Sequence, residues 1–247
     1  MISVNLAVDE LSLIRGKGLK VNPYITVRHP TLGEIVDFGE LRYLQLVSVI
    51  TSTPSDHKVE LFDAGIDYGN ISDLSFFISQ SRHLDQENSH ILFGDFDFSK
   101  CVLTTRKNDD PILCNIEGEV LIDEAAHIVI SDFIRKINLL KKHSEKPANA
   151  ATRTYLIERD RAKQRRNKDV EFHSELKSIV SALVNSCHFK YDYKTIWDMP
   201  IYAFNDSIRQ VQKLINYELL MGGVYSGTVD SSKLNISDLS WIEGAKR

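Results

Sequence analysis

Cysteine is scarce in this chain. Cys101, Cys114 and Cys187 are an odd number with no metal-ligand spacing. Paired disulfides are therefore not expected, and a reducing compartment suits the chain best. Long apolar runs are missing too, since no segment offers the roughly 20 apolar residues of a membrane span. The first ten residues have no basic segment and too short an apolar run for a secretory signal. The expectation is a soluble protein working in the cytoplasm.

Recognisable chemistry is equally sparse. There is no P-loop, no Gly-x-Gly-x-x-Gly after a strand and no Gly-x-Ser-x-Gly. The glycines at 222, 223 and 227 follow a long apolar-periodic run. A helix C-cap explains them better than a phosphate cradle, because phosphate sites use helix N-termini. The histidines at 29, 57, 83, 90, 127, 143, 173 and 188 form no H-x-x-x-H pair and none sits at zinc spacing from a cysteine. Asp95 and Asp97 fall on one side of a possible strand, where they could hold a cation or act as an acid–base pair. Phe93, Phe96 and Phe98 around them favour a packed turn instead. No nucleophile, base and orienting group can be named, even from Asp95, Asp97, His127 and His173. The chain is therefore expected to be no enzyme, with no metal and no cofactor.

What is present is enough apolar matter for a core, 43% of residues, and an unequal distribution of charge. From Arg135 to Lys168 there are 12 Lys/Arg against 3 Asp/Glu, a balance of +9. The whole chain carries 30 against 34, so the remainder holds 18 against 31, or -13. Such segregation attracts an anionic partner or lets copies of the chain pair with one another.

The element pattern predicts an α+β fold. Residues 16–29 read as extended, with β-branched and aromatic residues at 24–27. A helix is predicted from Thr31 to Ile50, with Leu32, Ile35, Val36, Gly39, Tyr43, Leu46, Val47 and Ile50 on one stripe. Thr31 and Glu34 have capping-box spacing. Short helices follow at 57–64 and 72–81, then a polar loop at 82–90. Strands are expected at 91–93, 101–105 and 112–116, with turn residues at 108–110. Asp123 caps a helix reaching about Lys142, with Ile130, Ile134, Ile137 and Leu140 inward. Beyond this the pattern is helical: a charged helix over 152–168, then amphipathic helices over 170–187 and 199–221. The predicted organisation is a mixed domain over 1–142 with a small β-sheet, a linker over 143–150, and an all-helical domain with a C-terminal tail over 151–247.

Two surfaces stand out as candidates. Arg159, Arg161, Lys163, Arg165, Arg166 and Lys168 form a dense basic run. Nucleic acid would pair with it through phosphates, but the run lacks interleaved aromatics for base stacking. A solvated helix, or one lying on an acidic partner surface, is the commoner outcome. The second candidate is the tail, where Tyr225, Leu234, Leu239, Trp241 and Ile242 are spaced among polar residues. It either folds back over its own helices or anchors a partner, since Trp and Tyr are efficient interface anchors.

Several blocks resemble the tail assembly chaperones of tailed bacteriophages: Tyr24 to Glu40, Gly65-Ile66-Asp67-Tyr68, the basic helix, Met199 to Ile208, and Gly222 to Asp230 with Trp241. The likeness is one of spacing and order over most of the chain. It implies a non-enzymatic protein of the infected cell that keeps the helical tape-measure protein soluble, or binds tail-tube subunits, during virion morphogenesis. The alternatives are a structural tail or baseplate component retained in the virion, or a nucleic-acid-binding regulator. Self-association fits the charge segregation.

Overall fold

The computed structural model describes residues 9–230 except 83, 107–109 and 169, together with residue 232. A single-turn helix, α1 (Glu10–Ile14), is capped by Asp9 and puts Leu13 into the core. A hairpin follows, with β1 (Leu19–Lys20) antiparallel to β2 (Thr26–Val27). Helix α2 (Leu32–Phe38) begins with the expected capping box. Thr31 Oγ1 accepts from the Glu34 N–H at 3.2 Å, and the Glu34 carboxylate accepts from the Thr31 N–H at 2.8 Å.

The single helix predicted to Ile50 is two. Gly39 sits at φ +100°, where an L side chain is strained, and α3 (Glu40–Thr51) restarts after it. The break turns the chain while keeping Leu32, Ile35, Tyr43, Leu46, Val47 and Ile50 buried, and leaves Val36 exposed. After a 3-10 turn comes α4 (Lys58–Asp63), closed by Gly65 at φ +73°. Ser72 caps α5 (Asp73–Ser81).

The next stretch corrects the prediction. Residues 86–93 are neither loop nor strand but α6 (Gln86–Phe93), capped by Asp85, which accepts from the Asn88 N–H at 2.7 Å. A polar first turn hides the helix in the sequence, yet Ser89, Ile91, Leu92 and Phe93 are all buried. A three-stranded antiparallel sheet follows: β3 (Val102–Thr105), β4 (Pro111–Cys114) and β5 (Val120–Ile122), with β4 central. The third strand is too short for its pattern to register. Helix α7 (Glu124–Ile137) is capped by Asp123 as expected, but ends five residues before Lys142. Leu139 takes φ +53°, and Leu140, predicted inward, is exposed.

Residues 140–149 have no regular structure. Helix α8 (Ala150–Asn167) starts at Asn149, whose side chain accepts from the Thr152 N–H at 2.8 Å. Helix α9 (Leu176–Val184) covers only the middle of the predicted 170–187, leaving Phe172 outside it and exposed. Helix α10 (Ile201–Tyr225) runs four residues beyond Met221. Gly222 and Gly223 lie inside it and are not the cap. The terminating glycine is Gly227, at φ +72°. The Thr228 N–H donates to the Gly223 carbonyl and the Gly227 N–H to that of Val224, each at 3.0 Å, in a Schellman arrangement.

The chain is thus α+β, with two small antiparallel sheets in its N-terminal half and helices C-terminal to them. One apolar cluster joins α3 and α7 through Tyr43, Val47, Ile130, Ile134 and Ile137, and extends to Val180, Leu183, Ile201 and Phe204 of α9 and α10. The start of α10 is stitched to the N-terminal half. The Leu32 N–H donates to the Met199 carbonyl at 2.9 Å, and the Ile201 N–H to the Pro30 carbonyl at 3.0 Å. His29 Nε2 accepts from the Tyr202 N–H at 3.2 Å. Two of the four orphan N–H groups of a helix start are thereby satisfied by residues some 170 positions away.

Candidate partner-binding surface

The reach of α10 defines the first candidate. At about 1.5 Å per residue its 25 residues span roughly 37 Å. Ile201 and Phe204 are buried, and Ile208 and Val211 pack against the core. Past Val211 no residue of α10 joins the cluster. Leu219 is 71% exposed and Tyr225, on the last turn, is 84% exposed. A second apolar stripe, Leu214, Tyr217, Met221 and Val224, is only half-buried. Its steps of three, four and three are those of a helix-pairing seam, a signal that was readable in the sequence but masked there by the stripe ending at Leu219. Beside it, a crevice of about 680 Å³ is lined by Ile14, His188, Phe189, Tyr202, Val211 and Leu214 among others. His188 Nε2, on its lining, meets the Glu218 carboxylate of α10 at 3.0 Å.

Of the predicted tail anchors, Tyr225 is displayed on this helix end. Leu234, Leu239, Trp241 and Ile242 lie outside the described residues. Val229 does fold back, since a Cβ placed on Gly223 would meet its Cγ2 at 2.7 Å. Glycine there lets the chain pass close over the end of α10.

The basic run is divided by the fold. Arg159 pairs with Asp160 at 2.9 Å and Glu145 at 3.0 Å. Arg161 pairs with Asp63 of α4 and with Glu158. Lys163, Arg165, Arg166 and Lys168 make no ion pair with the described residues. They occupy the last turns of α8, where cations complement the helix dipole. An open cleft of about 590 Å³ lies between them and α4, lined by Val59, Asp63, Arg161, Gln164, Arg165 and Lys168.

Beneath this helix is a residue that the sequence did not single out. Lys58 is 1% exposed and its ammonium lies between Asp160, at 2.7 Å, and Glu145. Burial opposes its charge, but hydrogen bonds and attraction from the two carboxylates outweigh burial and raise its pKa. Burial likewise opposes ionisation of Glu145 and Asp160, and Lys58 and Arg159 overcome it, so both carboxyls are held below the usual range. Thr53 Oγ1 donates to the His143 carbonyl at 2.7 Å, and the Glu145 N–H donates to Ser55 Oγ at 3.1 Å. The strip predicted as a linker is therefore pinned over α4. Nothing in local periodicity announces such a cluster, because its members are 87 and 15 residues apart.

The candidates for chemistry sit apart from one another. Asp97 accepts from the Ser99 N–H at 3.0 Å and its hydroxyl at 2.7 Å, closing a 3-10 turn. Those bonds from Ser99 lower its pKa. Phe93, Phe96 and Phe98 pack edge to face around it, as a packed turn requires. His127 is buried and stacked on Phe77 at 4.9 Å, its Nε2 without a hydrogen-bond partner. Burial pushes its pKa down to about 4, and that of His29 to about 4 as well. His173 is exposed on the segment before α9. Among the described residues no three His, Cys, Asp or Glu side chains are grouped to hold a metal ion, and no helix is long and apolar enough to cross a membrane.

One comparison bears on the last third of the chain. Residues 163–246 match the YomV second domain, a Bacillus phage-type protein family. The YomV-like region begins within α8 and takes in α9, α10 and the tail, so it contains the exposed half of α10. No curated protein and no solved structure matches the chain significantly.

Proposed function

We propose that the chain is a non-enzymatic assembly factor of a phage, a tail assembly chaperone that holds helical segments of the tape-measure protein or tail-tube subunits. The observation that carries this reading is the distal half of α10. A helix that leaves its core with two apolar stripes uncovered or half-covered is suited to pairing with a partner's amphipathic helix. The YomV-like match supports it, because it ties that helix to a phage-type domain. Exposed stripes of this size favour moderate, reversible contacts, as capture and release demand.

The test is co-expression with the tape-measure-like and tube-like products of the same phage, followed by pull-down. Capture by the native chain and loss of capture in Leu219→Glu, with an unchanged melting temperature, is the expected result. No capture of either product would overturn the reading. Recovery of the chain in finished particles would replace it with the structural tail or baseplate role.

A further inference from the structure

Helix α8 is attached unlike any other long helix of the protein. Of its 18 residues only Ile157 is buried, and it joins Val59 and Tyr68 in a small cluster separate from the main core. The rest of its attachment is polar. Arg153 pairs with Asp67 at 2.9 Å, Arg161 with Asp63, Arg159 with Glu145, and Lys58 with Asp160, while Gln164 donates to Glu60 at 2.7 Å. Every arginine that α8 turns inward meets a carboxylate of α4, of the turn after it, or of the 140–149 strip. Irregular segments flank the helix on both sides, at 140–149 and, among the described residues, at 168 and 170–175.

We propose that α8 is a displaceable arm. Its inner face is a docking surface for an acidic polypeptide, occupied in cis by the carboxylates of α4 and the strip. Charge complementarity names the occupant: the groups now seated on α8 are protein carboxylates, and an acidic segment offers the same ligands. Nucleic acid fits less well, since Tyr155 is the one aromatic residue on the helix. Competition is feasible because the partly exposed pairs of Arg153 and Arg159 are individually weak and screened by salt, the buried Lys58 keeps Glu145 of the strip as a partner when Asp160 leaves, and one buried isoleucine does not lock an 18-residue helix. Displacement uncovers Val59 and Tyr68 while the main cluster stays intact. The inference stands independently of what α10 captures.

Hydrogen exchange of the full chain tests it. Raising NaCl from about 50 mM to about 500 mM is expected to speed exchange over residues 150–167 about tenfold, and over α3 and α7 less than about twofold. At low salt, poly-glutamate should speed exchange in α4, whereas poly-lysine should not. Asp63→Asn with Asp67→Asn, two half-exposed positions, should loosen α8 at low salt and leave α3 and α7 unchanged. Exchange in α8 that occurs only with global unfolding, at any salt, would overturn the proposal. So would a response to single-stranded DNA of matched charge with none to poly-glutamate.

Discussion

The pairing of α3 with α7 and the pairing of α4 with α8 are two answers to one problem, holding a helix to a fold. The first is apolar. Tyr43, Leu46, Val47 and Ile50 face Ile130, Phe133, Ile134 and Ile137, and two polar side chains at its edge find partners inside the pair. Tyr43 Oη donates to Asn138 Oδ1 at 2.9 Å, and Arg135 donates to the Thr51 carbonyl at 2.5 Å. The second pairing buries only a small cluster, Ile157 with Val59 and Tyr68, and otherwise relies on charge. Apolar burial is non-directional and, unlike an ion pair, is not screened by salt. Ion pairs are directional, screened, and individually exchangeable for those of another molecule. The same chain therefore holds a permanent joint and a conditional one.

The largest effect that sharpens this contrast lies in the permanent joint. Ile134→Ala, at a fully buried position, should cost about 3–4 kcal/mol, seen as a lower denaturant midpoint with an unchanged slope. If Ile157→Ala lowers the midpoint as much, the two joints are not different in kind. Next comes the buried ammonium. Lys58→Ala leaves Glu145 and Asp160 crowded with only Arg159 between them and should cost about 2–3 kcal/mol, and Lys58→Met, which keeps the apolar stem but not the charge, about 2 kcal/mol. A loss in Lys58→Ala that Lys58→Met restores would mean that packing, not charge, is what Lys58 supplies.

Acid should strike the permanent joint through its histidines. His29 and His127 have folded pKa values lowered to about 4 from the ordinary 6.5, with burial as the main cause. A depressed histidine contributes stability that is complete above about pH 6.5 and is lost as pH falls toward 4, because the unfolded chain takes up the proton first. At pH 5 the expected loss is about 2 kcal/mol for His127 and somewhat less for His29, which is less deeply buried. His127→Phe should flatten the decline between pH 6.5 and 5 in a series of melting curves. An unaltered decline would place the acid sensitivity elsewhere. The smallest stability effect belongs to the surface of α10. Leu219→Ala and Tyr225→Ala should change stability by less than about 0.5 kcal/mol, yet weaken partner capture in pull-down. A collapse in melting temperature would make that surface part of the core.

Helix N-caps were the most legible feature of the chain. Thr31 with Glu34, and Asp123, act where their spacing places them, because such a cap is a contact over three residues, whereas the C-cap expected at Gly222 and Gly223 lies at Gly227. Strand identity was less legible. Ile91-Leu92-Phe93 reads as a strand by composition but closes α6, since a three-residue apolar run has no period of its own and neighbouring burial decides it. The candidate surfaces were legible in part. Tyr225 is displayed as an interface residue would be, and the basic run lies on one helix. That two of the six residues of the run, Arg159 and Arg161, are consumed by Glu145 and Asp63 could not be read, because Asp63 is distant in sequence and Glu145 lies outside the helix.

Local order therefore came from the residues alone: the α+β class, most helices, the extended opening, the N-caps at Thr31 and Asp123 and the segregation of charge, all readable within a few positions. Tertiary structure decided which charges are spent and which are free, that His29 satisfies the start of α10, that Lys58 is enclosed, and that α10 outruns its core. Each of these depends on groups brought together from 15 to 173 positions apart, a range at which burial and partner geometry outweigh any local preference.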